Sequence, residues 1–265
     1  MEDIGAHGVH HGSDARTGER GNPPPAIVRE DRDGVVYLTL NRPHKRNALD
    51  IATFEALETH LVAMAATLDD IGAVVIRGAG PCFSAGADIS GPTRSRRHNF
   101  QGSVIELLGN FPQPVVAAVH GHCVTGGLEL ALAADLIVAA ESARFADTHS
   151  AFGLAATWGL TQRLPRRIGS YRAREMMFTG RVVTGSEAAE IGLAASCVPD
   201  DQLASATAQL VEDITRGSWF SHRQHKLALI RTDGMTLAAG LADESFRTQR
   251  VAPDFSSRAG ARYVR

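Results

Sequence analysis

Cys82-Phe83-Ser84-Ala85-Gly86-Ala87-Asp88-Ile89, answered further along by Gly121-His122-Cys123-Val124-Thr125-Gly126-Gly127-Leu128-Glu129-Leu130, decides how this chain reads. Each stretch is a strand-to-helix turn built from small residues. The first amides of a helix have no partner inside the helix, so such turns leave N–H groups pointing outward. Two of these turns side by side can hold one oxyanion between two amides. Glu129 follows Gly126 by about one helical turn, which brings a carboxylate near the same point. The combination points to an enzyme that stabilises an enolate or a tetrahedral oxyanion.

Outward from these turns, the chain alternates strands and helices and then turns helical. Residues 26–29 and 35–40 read as strands around the Asp33-Gly34 turn. Asn41-Arg42-Pro43 breaks the pattern, and Leu49, Phe54, Leu57, Leu61, Met64 and Leu68 then mark a helix over 49–68. Strands are expected at 73–77, 114–119, 136–139 and 143–145, with helices at 99–109 and 128–134. From Thr157 onward helices are expected at 160–165, 171–179, 186–192, 202–216, 219–230 and 236–250, with one late strand at 195–198. This order predicts an α/β core of repeated ββα turns followed by a C-terminal helical region.

Residues 1–25 are rich in Gly, His, Asp and Arg and end in Pro23-Pro24-Pro25, the composition of a disordered tail. His7, His10 and His11 in that tail are the one set placed to catch a metal; a solvated tail is the plainer reading. Apolar side chains make up 44% of the 265 residues, enough for a substantial core. A net charge of −2 gives no reason to expect nucleic acid or an anionic membrane as partner. Three isolated cysteines, Cys82, Cys123 and Cys197, point to a reducing compartment, and no zinc-type spacing accompanies them. No apolar run reaches the length of a membrane span, and the start Met-Glu-Asp has no basic and apolar leader pattern. A cytoplasmic location is the expectation.

Four motifs in order, Asn41–Asp50 (NRPHKRNALD), Phe83–Ile89 (FSAGADI), Gly126–Leu136 (GGLELALAADL) and Thr161–Gly169 (TQRLPRRIG), resemble the enoyl-CoA hydratase/isomerase (crotonase) family over residues 26–265. The resemblance implies a crotonase-like spiral over 26–200 and a C-terminal helical trimerisation region over 201–265, in a homotrimer or a dimer of trimers. It implies an acyl-CoA thioester as substrate and no separate cofactor, because the CoA arrives with the substrate. It assigns the oxyanion hole to the backbone N–H groups of Ala87 and Gly126. It places coenzyme A along Lys45, Arg46, Ala48, Ser84, Ala85, Gly86, Asp88 and Ile89. The guanidinium groups of Arg94, Arg96 and Arg97 join Lys45 and Arg46 as candidates for its phosphates, since the planar fork donates two hydrogen bonds at once. Each of these charges also has the plain reading of a solvated surface residue.

Family hydratases use two glutamates around one water, one as base and one as source of the α-proton. Glu129 matches the first; the second position, twenty residues on, holds His149 within Phe145-Ala146-Asp147-Thr148-His149-Ser150. A histidine titrates near neutrality and suits acid–base work, and Asp147 is placed to orient it if the strand is regular; a merely hydrogen-bonded His149 is the alternative. The family's Pro-Gly-x-Gly-Gly loop is also altered, to Ala156-Thr157-Trp158-Gly159-Leu160, which puts Thr157 and Trp158 beside the acyl pocket. His122 is a further candidate for contact with the acyl chain, with a structural role as its plainer reading, as for His120.

The function these residues imply is enoyl-CoA hydration through an oxyanion-hole-stabilised thioester enolate. The substitution at 149 keeps open another reaction of the same fold, such as isomerisation, thioester or C–C hydrolysis, or decarboxylation, and an acyl-CoA-binding protein with weak catalysis. A serine hydrolase is disfavoured because Ser84 is not in a Gly-x-Ser-x-Gly elbow. No P-loop or dinucleotide fingerprint is present.

Overall fold

The computed structural model describes residues 24–91, 95 and 97–262. The expectations for residues 1–23, including His7, His10 and His11, and for Arg94 and Arg96 lie outside the described residues. Strands β1 (Ile27–Arg32) and β2 (Val35–Leu40) form a hairpin. Helix α1 (Ile51–Ala65) and strand β3 (Ala73–Gly78) follow, then helix α2 (Phe100–Gly109), strands β4 (Val115–Val119) and β5 (His122–Val124), and helix α3 (Gly126–Ala133). Next come strands β6 (Leu136–Ala140) and β7 (Arg144–Ala146), helices α4 (Leu160–Ile168) and α5 (Ser170–Thr179), strand β8 (Val183–Thr184), helix α6 (Gly185–Glu190) and strand β9 (Ser196–Val198). Four helices close the chain: α7 (Leu203–Arg216), α8 (Trp219–Thr232), α9 (Leu237–Arg247) and α10 (Phe255–Arg262).

The strands form a six-stranded sheet of order β1-β2-β3-β4-β6-β9 and a three-stranded sheet of order β5-β7-β8. In β4–β5–α3 and β6–β7–α4 the chain gives one strand to the large sheet and one to the small sheet before its helix. That is the spiral of ββα turns. From β2 to β9 the large sheet is parallel, with Val74 opposite Val115 and Val116 opposite Leu136. Parallel strands are covered on both faces and read as unbroken apolar runs. Val115-Val116-Ala117-Ala118-Val119 is buried throughout. One face packs on α1, α2 and α3 through Phe54, Leu57, Ile105 and Leu128. The other packs on α7 through Val75, Val116, Val138 and Val211.

Local chemistry sets the element ends. Asp50 caps α1, its Oδ1 accepting from the Thr53 N–H at 2.8 Å and the Thr53 hydroxyl at 2.7 Å. α8 is fastened to the sheet at two points. Trp219 lies so close to Gly34 and Gly72 that a Cβ on either would stand 2.6 or 2.5 Å from the indole. Lys226 is buried and its Nζ donates to Asp135 Oδ2 at 2.6 Å and to Gln113 O at 3.0 Å.

Several boundaries differ from the sequence reading. β5 and β8 are not among the expected strands; they are three and two residues long, too short to establish a period. α4 continues past Pro165 to Ile168. Pro165 is the sixth residue of the helix, so Thr161 O gives up its helical donor there, and the helix still closes because the Gly169 N–H donates to Pro165 O at 2.9 Å. The last helix of the sequence reading ends at Arg247 rather than 250, and α10 was not anticipated.

Candidate active site

Both small-residue turns arrive at one place because they sit on neighbouring strands. Ser84 bridges Cys123, and Leu49 bridges Ala87, which extends the small sheet through the first turn. Ala87 and Gly126 each stand three residues beyond the Ser84–Cys123 bridge. Their amides lie side by side: a Cβ on Gly126 would be 3.2 Å from Ala87 N, and one on Gly86 would be 3.3 Å from Gly126 N. Among the described residues no oxygen accepts a hydrogen bond from either amide. Gly86 adopts φ +92°, a conformation that suits glycine, and a Cβ there would press on Val124 O at 2.9 Å. Gly127 lets Ser84 approach; a Cβ would meet Ser84 O at 2.7 Å.

Glu129 lies one turn into α3, whose residues are all buried. Its carboxylate is 1% exposed and is held, not orphaned: Oε1 accepts from the Trp158 N–H at 2.8 Å and the Leu160 N–H at 3.2 Å. Burial pushes its pKa above the ordinary carboxylate value, against the pull of those two amides and of His149. The other oxygen, Oε2, faces His149 Nε2 at 3.8 Å. His149 opens a short 3-10 turn just after β7. Its Nδ1 pairs with Asp147 Oδ1 at 2.6 Å, and the same oxygen accepts from its backbone N–H at 3.0 Å. Strand alternation does not produce this pairing, since β7 ends at Ala146; a side-chain turn made by Asp147 does. Burial works against charge on the imidazole, but the hydrogen bond and negative charge of Asp147, with the charge of Glu129, prevail and hold its pKa above the usual value.

A third tie joins these parts. Thr125, just before Gly126, has φ 53° and ψ −114°, an unusual backbone for a β-branched residue. Its hydroxyl pairs with the Thr148 hydroxyl at 2.5 Å and accepts from the Thr148 N–H at 3.3 Å. The turn that presents Gly126 is thereby bonded to the segment that presents His149.

The remaining sequence-predicted residues take mixed places. Lys45 and Arg46 are exposed, and Ile89 is exposed on the loop beyond Asp88. A cleft of about 380 Å³ runs along Arg42, Lys45, Ile51, Asp88 and Ser90. Ser84 is buried, its hydroxyl donating to Asn47 O at 2.8 Å and accepting from the Gly86 N–H at 3.2 Å, so it shapes the turn. The Ala85 N–H donates to Arg46 O at 2.9 Å, and Ala48 O accepts from Arg42. Asp88 is pushed down to about 2 by the Ser90 hydroxyl and amide and by Arg42. Arg97 forms a two-pronged pair with Glu58, both contacts 2.7 Å, and lies over the Phe100 ring. Trp158 sits at the site, whereas Thr157 and His122 are exposed. Among the described contacts, neither side chain reaches Glu129 or His149.

Two residues carry the site without having been singled out. Arg42 pairs with Asp88 at 3.0 Å and Asp50 at 3.1 Å, pinning the 42–50 segment to the first turn. Asn47 is buried at φ 53° and donates to Ala79 O and Cys82 O, both at 2.8 Å. Both lie inside the first motif, and an Asn tolerant of positive φ was the available clue.

The sequence and the fold of this chain are similar to those of known proteins. The family model described as enoyl-CoA hydratase/isomerase matches residues 30–260. The 2,3-dehydroadipyl-CoA hydratase of Escherichia coli K12 is 36% identical over 222 residues, covering 82% of this chain and 86% of its own. The solved structure of an enoyl-CoA hydratase from Bacillus anthracis has a TM-score of 0.78 at 33% identity, covering 83% of this chain and 88% of that one. A monofunctional enoyl-CoA isomerase from M. smegmatis also superposes, with a TM-score of 0.72 at 33% identity over 82% of this chain and 98% of its own.

Proposed function

This chain belongs to the enoyl-CoA hydratase/isomerase family, and from that premise we propose that it adds water across the double bond of a 2-enoyl-CoA, with Glu129 and His149 as the acid–base pair. The observation that carries the reading is the 3.8 Å approach of His149 Nε2 to Glu129 Oε2 beside two amides that have no acceptor among the described residues. In this mechanism the thioester oxygen lies between the Ala87 and Gly126 amides. They stabilise the negative charge that develops as the β-carbon is attacked. Glu129 Oε2 takes a proton from water as its oxygen bonds to the β-carbon. The imidazolium of His149 delivers a proton from Nε2 to the α-carbon, completing a 3-hydroxyacyl-CoA. Glu129 then returns its proton to His149, and both groups are reset. The raised pKa of His149 suits an acid, and the amides on Glu129 Oε1 leave Oε2 free to act as base.

The cleft lined by Arg42, Lys45, Asp88 and Ser90 is the place this reading gives to CoA. Hydration is redox-neutral and needs no cofactor beyond the CoA of the substrate. Leu237, Leu241, Phe246 and Phe255 stand exposed on α9 and α10, Phe246 at 89%, which supports self-association through the C-terminal helices into a trimer or a dimer of trimers. Three unpaired cysteines favour a reducing compartment, the cytoplasm. Among the described residues no helix is long and apolar enough to cross a membrane.

The test follows loss of the conjugated-thioester absorbance with crotonyl-CoA. Turnover by the wild type and a fall of about 10²–10⁴ in Glu129→Gln are expected. Tight acyl-CoA binding without product would make the chain a binding protein. Formation of a shifted double bond or free CoA in place of a 3-hydroxyacyl-CoA would make it an isomerase or a hydrolase.

A further inference from the structure

Trp158 is fixed in position by contacts at both its backbone and its ring. Its N–H donates to Glu129 Oε1 at 2.8 Å, and its carbonyl accepts from Arg163 Nη1 at 3.0 Å. The indole meets buried Phe54 edge to face, with ring centroids 5.0 Å apart and planes at 72°. Its six-membered ring lies over Gly126: a Cβ built there would stand 2.4 Å from Trp158 Cζ3 and 3.2 Å from Ala87 N. The ring thus borders the same space that the two amides and Glu129 face. The indole therefore takes up room beside the place where a thioester oxygen on those amides would sit, and limits the space there for an acyl chain. An apolar wall held on two sides cannot step aside cheaply, because packed interiors resist added volume.

From these contacts we propose that Trp158 is a specificity-determining residue that closes the acyl side of the site and restricts the substrate to short 2-enoyl thioesters of the size of crotonyl-CoA. The proposal rests on the hydratase reading of the site. It separates from that reading because it concerns the ratio between chain lengths and not the presence of turnover. Trp158→Ala removes the ring and keeps the backbone N–H that holds Glu129, so the acid–base pair retains its anchor.

The experiment measures kcat/KM for crotonyl-CoA, 2-hexenoyl-CoA and 2-decenoyl-CoA in the wild type, Trp158→Phe and Trp158→Ala. The wild type is expected to prefer crotonyl-CoA. The decenoyl-to-crotonyl ratio is expected to rise at least about tenfold in Trp158→Ala, the scale on which pocket size discriminates between substrates, chiefly through a lower KM for the long chain, with Trp158→Phe between. Calorimetric titration with butyryl-CoA and decanoyl-CoA reads the same wall without chemistry. A wild type that handles 2-decenoyl-CoA as well as crotonyl-CoA, with a ratio unchanged by either substitution, overturns the proposal. Absence of turnover on every enoyl-CoA overturns the hydratase reading instead; the binding titration then decides the wall, and decanoyl-CoA binding as tightly as butyryl-CoA overturns it.

Discussion

Replacing Asp147 by Asn separates the charge on His149 from its position. Asp147 Oδ1 holds both the Nδ1 of His149, at 2.6 Å, and its backbone N–H, at 3.0 Å. The Asn amide oxygen still accepts from the backbone, so the turn survives, but the negative charge is gone. A hydrogen bond to a charged group contributes about 1.5–3 kcal/mol, so loss of the negative charge lowers the His149 pKa. If the imidazolium delivers the α-proton, the alkaline limb of the kcat/KM profile moves to lower pH. On that limb the variant then loses about 10- to 100-fold, the same 1.5–3 kcal/mol at about 1.4 kcal/mol per tenfold, and activity returns as pH is lowered. Stability follows the same sign. The folded pKa of His149 is raised, so its contribution is full below the unfolded value of about 6.5 and is lost as pH rises through the folded value. Asp147→Asn should flatten that part of the pH–stability curve. The assay is steady-state hydration of crotonyl-CoA across pH, with thermal melts in the same buffers. A uniform loss at all pH values, with the alkaline limb unmoved, refutes the assignment of His149 as acid.

Three further outcomes follow from the geometry. Gly126→Ala puts a Cβ 2.4 Å from the Trp158 ring and 3.2 Å from Ala87 N, and should lower kcat by about 10²–10³, the cost of losing one oxyanion donor. Thr125→Val keeps the β-branch but leaves the Thr148 hydroxyl and N–H without their partner; it should cost about 1 kcal/mol in a denaturant melt and lower kcat more than it raises KM, with Thr125→Ser restoring both. The Asp88 carboxyl is held down at about 2, so its stabilising contribution is present above the unfolded value of about 3.9 and disappears as pH falls through about 2. The difference in thermal midpoint between wild type and Asp88→Asn should therefore shrink on acidification.

The motifs that name the family also fix the parts of the site built from backbone. Small residues in Phe83–Ile89 and Gly126–Glu129 leave little choice but close turns, and the long apolar runs of β3, β4 and β6 require a covered parallel sheet. Interactions between distant segments were not legible. The seat of Glu129 depends on amides of residues 158 and 160, and the strained Thr125 depends on Thr148; neither pairing has a local period. α3 is buried on every side and so carries no amphipathic stripe to mark its face. Asp147 was visible as a neighbour of His149, but its role comes from a side-chain turn that strand alternation does not predict. Ser84 looked like a ligand contact from its place in the motif, yet its hydroxyl serves the turn.

Hydration of crotonyl-CoA in heavy-oxygen water, followed by mass spectrometry, tests the central claim most directly. The account predicts one heavy oxygen in the 3-hydroxyl of an intact 3-hydroxyacyl-CoA, formed by the wild type and nearly lost in Glu129→Gln. Heavy oxygen in the carboxylate of a freed acid, or product formation undiminished by Glu129→Gln, would contradict it.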